Sequence, residues 1–194
     1  MDATSPTLLH RLRTDAQEAD WQSFLTLYTP LIHHWINRFQ VPPGDRNDVA
    51  QEVLAVVVRK LPRFEHNQRK GAFRNWLRLI TFHCLKEYWR TNSTRPKAVG
   101  GSDFMTSLTS LEDPASELSQ IWDREHDLFI TQTLLDQIRS NFTDNTWQAF
   151  RRLTVDGLSA DEVARELGVS VNAVFIAKSR VMAKLRKEVG EFLD

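Results

Sequence analysis

The stretch SADEVARELGVSVNAVFIAKSRVMAKLRK, residues Ser159–Lys187, decides how the rest of the chain is read. Ser159 followed by Glu162 has the form of a capping box. The Ser hydroxyl takes one free N–H of the first helical turn, and the Glu side chain reaches back to another. A helix is therefore predicted over Ser159–Leu167. Gly168 supplies a tight turn, and Ser170 is placed to cap a second helix running to about Val189. Val163, Ala164 and Leu167 pack on Val169, Val174, Val181 and Leu185 across that turn. Ala164 is small enough to let the two helices cross closely. This is the layout of a helix-turn-helix, whose second helix enters a major groove and reads base edges near its N-terminus. Ser170, Asn172, Ala173, Phe175, Ile176 and Ser179 are among its candidate DNA-binding residues. Lys178, Arg180 and Lys184, with Arg186 and Lys187 beyond, suit phosphates. The other reading of the same pattern is a helical hairpin inside a core.

Outward from this pair the chain reads as helical almost throughout. Asp144–Val155 is a short helix stopped at Gly157. Before it, Leu118, Ile121, Trp122, Leu128, Phe129, Leu135 and Ile138 predict one side of a long amphipathic helix. Thr91–Ser110 has the turn-former content of a linker. Phe73 to about Arg90 is a helix with Phe73, Trp76, Leu77, Ile80, Cys84 and Tyr88 as its core stripe. Pro62–Ala72 is a polar, basic loop. Asn47–Leu61 is a helix with Val49, Val53, Leu54, Val57 and Leu61 inward, and Val41–Asp45 is a loop. Trp21, Phe24, Leu25, Tyr28, Leu31, Ile32, Trp35, Ile36 and Phe39 keep the spacing of one buried helical face. Pro30 within that run either restarts the helix behind Thr29 or kinks it. The expected fold is all-α: a helical domain over residues 1–92, a flexible linker over 93–117, and a helix-turn-helix domain over 118–194.

Composition narrows the function classes. The 194 residues allow one large domain or two small ones. Apolar residues at 41% suffice for packed cores. A single Cys, Cys84, excludes a disulfide framework and a Cys-based zinc site. The longest apolar run, Val53–Val58, is too short to span a bilayer, so no membrane is expected. No signal-peptide pattern opens the sequence, and a cytoplasmic location is the default expectation. The 25 Lys and Arg balance the 25 Asp and Glu, but unevenly. Residues 20–95 hold twelve basic and six acidic groups, and 165–187 hold six and one. Residues 96–117 hold one basic and four acidic. Two basic surfaces separated by an acidic stretch fit a polyanion touched at two places, or ordinary solvated helix faces.

Two further groups of residues stand out. Asp48, Gln51 and Glu52 share one polar stripe of a helix, at i, i+3 and i+4. They either serve the helix dipole or form a recognition surface for a basic partner. Arg63, Phe64, His66, Asn67, Arg69, Lys70, Arg74, Arg78, Phe82, Lys86, Trp89 and Arg90 interleave cations with aromatic rings. That mixture suits unstacked single-stranded nucleic acid, phosphates on the cations and bases on the rings. Phe82 and Trp89 could equally be buried. His83 and Glu87, at i and i+4, are the best metal pair, with His66 as a distant third ligand for a metal-dependent hydrolase. No HExxH, GxxxxGK[ST], GxGxxG or GxSxG occurs, so no metal, no cofactor and no enzymatic activity is expected.

The combination resembles a known family. DVAQEV (Asp48–Val53), then FRNWLRLITFHCLKEYWR, an acidic linker and SADEVARELGVSVNAV together look like a bacterial RNA polymerase sigma factor of the small extracytoplasmic-function type, with regions two and four. The resemblance runs from about residue 8 to 190. It implies a non-catalytic subunit that binds core RNA polymerase, directs it to promoter DNA and helps melt it. It implies that Asp48, Gln51 and Glu52 contact the clamp helices of the largest subunit. Pro62–Ala72 would capture a flipped base of the minus-ten element, and the face of Phe73–Arg90 would hold the melted strand. Val171–Lys187 would read the minus-thirty-five element, the Trp147–Leu153 helix would dock the flap tip, and the linker would pass near the RNA exit path. An anti-sigma protein is a further partner class that the resemblance allows. The chain departs from the family at Phe82-His83, where Arg-Asn is frequent, and at Ala173–Ala177, where a more basic run is usual. The competing reading is a conventional dimeric helix-turn-helix regulator on a palindromic duplex.

Overall fold

The computed structural model describes residues 8–65, 71–91 and 101–189. The described residues form nine α-helices and no strand. They are α1 (Leu8–Thr14), α2 (Glu18–Arg38), α3 (Arg46–Lys60), α4 (Ala72–Thr91), α5 (Gly101–Thr109), α6 (Glu117–Ile138), α7 (Asp144–Thr154), α8 (Ala160–Leu167) and α9 (Val171–Val189). The fold is all-α, as the spacing of apolar residues predicts. The chain divides into two compact units, the first reaching to Ile130 and the second beginning at Thr131.

In the first unit, α2 follows its predicted stripe: Phe24, Tyr28, Leu31, Ile32, Trp35 and Ile36 are buried. The helix runs through Pro30 without a restart. Pro30 is exposed, so water can reach the Thr26 carbonyl that the missing N–H leaves without a helical donor. Asp20 anchors the N-terminus. It accepts from the Gln17 backbone N–H at 3.1 Å and from Arg11 Nε at 2.8 Å. The Arg11 hydrogen bond holds the carboxyl below its usual range. α3 buries Val49, Ala50, Val53 and Val57, and ends where Pro62 tightens the chain into a 3₁₀ turn, Leu61–Arg63.

α4 departs from its predicted stripe. Phe73, Leu77 and Ile80 are buried as expected, but so are Arg78, Thr81, Phe82, Leu85 and Trp89. Cys84 and Tyr88 are half-buried. Two sides of the helix are covered. One packs against α3, and the other against the segment from α5 to the start of α6. Sequence pattern predicts a linker for that segment. Residues 93–100 lie outside the described residues, whereas Gly101–Thr109 is helical and Ser110–Glu112 forms a 3₁₀ turn. Leu108 and Leu111 have no exposed surface. In α6, the Trp122 ring centre lies 4.3 Å from that of Trp35, and Ser119, Trp122, His126 and Ile130 form the inner stripe. Leu128, expected inside, is 60% exposed. The boundary between the compact units thus falls within α6.

The second unit follows its local signals closely. Thr143 caps α7, accepting from the Thr146 N–H. Ser159 and Glu162 form the capping box of α8. Gly168 turns the chain with φ +64°, the left-handed region that glycine enters without cost. Ser170 Oγ accepts from the Ala173 N–H at 3.1 Å and caps α9. The core is Ala149, Val163, Ala164, Val174 and Ala177.

Candidate nucleic-acid interface

The carboxylate stripe of α3 is open. Asp48, Gln51 and Glu52 are all exposed, while Val49, Ala50 and Val53 hold the opposite side in the core. Asp48 and Glu52 form one wall of a cavity of about 540 Å³ between α3 and α4, which Arg59, Lys60, His83, Cys84 and Glu87 also line. Burial pushes the Cys84 thiol up to about 11, so it stays protonated and unreactive at neutral pH. Tyr88 Oη donates to Asp45 Oδ2 at 2.5 Å and ties the helix N-terminus to α4. Arg59, Lys60 and Cys84 are not among the residues that sequence pattern selects for a site. Their role as cavity walls depends on how α3 meets α4, which spacing within one helix does not carry.

The cation-aromatic group is divided by the fold. Arg63 is exposed and Phe64 is buried at the mouth of a second cavity of about 600 Å³. Trp76, Asn75, Glu65, Leu79 and Pro114 also line this cavity. The Phe64 and Trp76 rings lie 5.0 Å apart. Trp76, assigned to the core by its spacing, is a half-buried cavity wall. His66, Asn67, Arg69 and Lys70 lie outside the described residues.

Arg74 and Arg78 do not present open guanidinium groups. Arg74 Nη1 donates to Asp127 Oδ2 at 2.5 Å, and its Nε lies 3.2 Å from Asp123 Oδ1. Gly71 stands beside it with φ +69°, and a Cβ there would meet Arg74 Nη2 at 2.6 Å. Arg78 is 1% exposed. Its Nε donates to the Leu111 carbonyl at 3.2 Å and its Nη1 to Asp123 Oδ1 at 3.1 Å. Its Nη2 donates to Asn75 Oδ1. Burial lowers the Arg78 pKa, with the Asp123 charge opposing the shift, and the group stays cationic. Burial also pushes Asp127 up, but hydrogen bonds from His126 and Arg74 outweigh it and hold the carboxyl low. Phe82 and Trp89 are buried, Trp89 edge-on to Phe104 with ring centres 5.4 Å apart. Lys86 lies over the Phe82 ring, 5.2 Å from its centre, and Arg90 is paired with Glu87.

α9 turns its predicted groups outward. Val174, Ala177, Val181 and Leu185 are buried. Ser170, Asn172, Phe175, Ile176, Lys178, Ser179 and Arg180 are exposed, and Ala173 and Lys184 are half-buried. Lys184 Nζ pairs with Glu188 Oε1 at 2.8 Å. On α7, Trp147 and Phe150 are buried and line a cavity of about 460 Å³ with Leu135 and Val155.

Among the described residues no three His, Cys, Asp or Glu are placed to hold a metal, and no helix is long and apolar enough to cross a membrane. Of the candidate metal pair, His83 is exposed and Glu87 is held by Arg90.

Residues 24–95 match the Sigma-70 region 2 family. That span holds α3, the exposed carboxylate stripe and the whole of α4. Over 184 residues the chain is 25% identical to the ECF RNA polymerase sigma factor ShbA of Streptomyces griseus, covering 92% of each protein. The match therefore extends through α8 and the turn at Gly168 as well as region 2. Residues 24–95 are thus similar to a Sigma-70 region 2 module, set before a capped helix pair in an all-α chain that is similar along nearly its whole length to an extracytoplasmic-function sigma factor, and this likeness supports a role in promoter-directed initiation of transcription.

Proposed function

We propose that this chain is a sigma factor that binds core RNA polymerase through α3, reads an upstream promoter element with α9, and helps open the downstream element at the start of α4. The observation that carries the reading is the stripe of Asp48, Gln51 and Glu52. It stands exposed within the matched residues 24–95, although Asp48, in the first turn of α3, also suits the helix dipole. Two carboxylates and an amide on one stripe offer acceptors to a basic helical surface, which suits the clamp helices of the largest subunit. The α7 cavity between Trp147, Leu135 and Val155 would take the apolar flap tip.

Opening a duplex needs a place for an unstacked base. The cavity walled by Phe64 and Trp76 has the volume, and base–aromatic stacking at about 1–3 kcal/mol offsets much of the cost of unstacking. Arg63 at its mouth suits the adjoining phosphate. Arg74 and Arg78 act here as cavity wall, because Asp123 and Asp127 occupy their donors. In this reading residues 1–92 supply the region-two functions, 93–117 connect, and 118–194 supply region four.

The test is gel filtration with sigma-free bacterial core polymerase. Co-elution should be lost on changing Asp48, Gln51 and Glu52 together to Ala, while the helical circular dichroism is kept. Co-elution unchanged in that variant removes α3 as the contact. A chain that never co-elutes with competent core and elutes as a dimer on a palindromic duplex is a conventional regulator.

A further inference from the structure

The first two turns of α9 carry outward side chains that phosphate binding does not use. Val174, Ala177, Val181 and Leu185 fix the inner side of the helix. With the helical period of about 100° per residue, Asn172, Ile176 and Ser179 fall on the side directly opposite, and Phe175 on its flank. All four are exposed. Phe175 is 52% exposed and Ile176 43%, neighbours in the chain and, among the described residues, two of the few large apolar ones so open. No Lys or Arg stands among Val171–Ala177. Cations begin at Lys178 and Arg180 and continue at Arg186 and Lys187, all exposed. The apolar pair thus sits at the tip of a basic helix, which favours a polyanion over an apolar protein surface.

Given α9 as the base-reading helix, the role proposed for it above, we infer that its tip recognises A·T base pairs. Phe175 and Ile176 pack on thymine 5-methyl groups, and Asn172 pairs with the N6 and N7 edge of adenine. The chemistry of the major groove leads there. Thymine alone among the four bases offers a methyl group, and Asn matches adenine with two hydrogen bonds. Guanine is read chiefly by Arg or Lys at O6 and N7, and the tip supplies neither. Ser179, one turn on, can donate or accept and tolerates either pair. Leaving an aromatic ring and a branched aliphatic chain in water brings no gain to the fold. Burying them on methyl groups does bring one to the complex.

The experiment uses the full chain and a pool of duplexes with a randomised window. After rounds of selection, the enriched window should be rich in A·T pairs. The enriched duplex is then made again with deoxyuridine for every thymine, which removes the methyl groups and keeps the pairing. Wild-type chain should bind that duplex about fourfold more weakly for each contacted methyl lost. Phe175→Ala and Ile176→Ala should each bind the two forms more nearly alike. Arg186→Ala should weaken both forms equally and keep their ratio. All three positions are exposed, so the fold survives, and thermal melting checks that it does. A window dominated by G·C pairs, or equal wild-type affinity for thymine and uracil forms, overturns the inference and leaves α9 a DNA-binding helix. Unchanged duplex binding by Phe175→Ala assigns the pair to a protein surface and overturns it too. A chain that enriches no sequence loses the base-reading assignment of α9 itself.

Discussion

His126 shows how a single side chain sets a pH limit. It has no exposed surface, its Nδ1 lies 3.0 Å from Asp127 Oδ1, and its ring centre is 5.9 Å from that of Tyr28. Nε2 is buried, with no hydrogen-bond partner among the described residues. Burial pushes its pKa below the ordinary value of 6.5; Asp127 and Asp123 pull it up and Arg74 pushes it further down. The neutral ring is therefore the folded form. Between the lowered folded value and 6.5, the unfolded chain binds more protons than the folded one. Stability from this site is complete above pH 6.5 and falls as the pH drops below it. The urea midpoint of the first unit should fall between about pH 7 and about pH 5. A His126→Gln variant, whatever its starting stability, should show a flatter pH dependence over that window. An equal slope in both proteins assigns the effect elsewhere.

At the scale of the element, the turn between α8 and α9 is the clearest case. Gly168 has φ +64°, yet a Cβ there would meet nothing within 4 Å. A substitution thus costs backbone strain alone. Gly168→Ala should lower stability by about 1–2 kcal/mol in thermal unfolding, and Gly168→Asn by less, because Asn tolerates the left-handed region better. Equal losses would point to a contact instead. This turn, its capping box and the Ser170 cap were legible in the sequence because each signal lies within four residues. α4 was not legible in the same way. A periodicity argument assumes one buried side, whereas α4 has two, and the second is closed by residues far along the chain. Arg78 accordingly reads as part of an open basic-aromatic face, and Phe82 and Trp89 as either part of it or buried, whereas all three are buried. α6 failed for a related reason: its inner stripe includes Ser119 and His126, and apolar pattern alone does not select them. Of the candidate sites, the α3 stripe and the outward side of α9 could be read in advance. The cavity between Phe64 and Trp76 could not, since it arises where a turn meets a helix.

For the molecule as a whole, a net charge of zero conceals the basic tract at its C-terminal end. If α9 lies on duplex DNA, each phosphate neutralised contributes about −0.9 to the slope of log affinity against log salt. Arg180→Ala and Lys184→Ala should each reduce that slope by about one contact. Lys184 must give up Glu188 to reach a phosphate, so its loss should weaken binding less than the loss of Arg180. Titrations over a range of salt concentrations would show both effects, and an unaltered slope would remove these two residues from the phosphate contacts. At this scale composition was informative about the two basic tracts, but not about the acidic residues that close on the first of them. Asp123 and Asp127 sit in a segment that reads as the next module, although they fold with the first.

That closure gives the chain a place where extra length is tolerated. The backbone leaves α4 at Thr91 and is back against it by Phe104, edge-on to Trp89, and again at Leu111, whose carbonyl accepts from Arg78, with Lys86 Nζ and Glu112 Oε1 3.9 Å apart just beyond. The excursion closes on the helix it left, and its anchors lie outside it. The entropy of closing such a span rises only with the logarithm of its length, by about 0.6 kcal/mol for each doubling. A foreign peptide, or a folded module whose ends lie close together, could thus be spliced between Thr91 and Gly101, ahead of α5, while Trp89, Arg78 and Lys86 keep their hold on the returning chain.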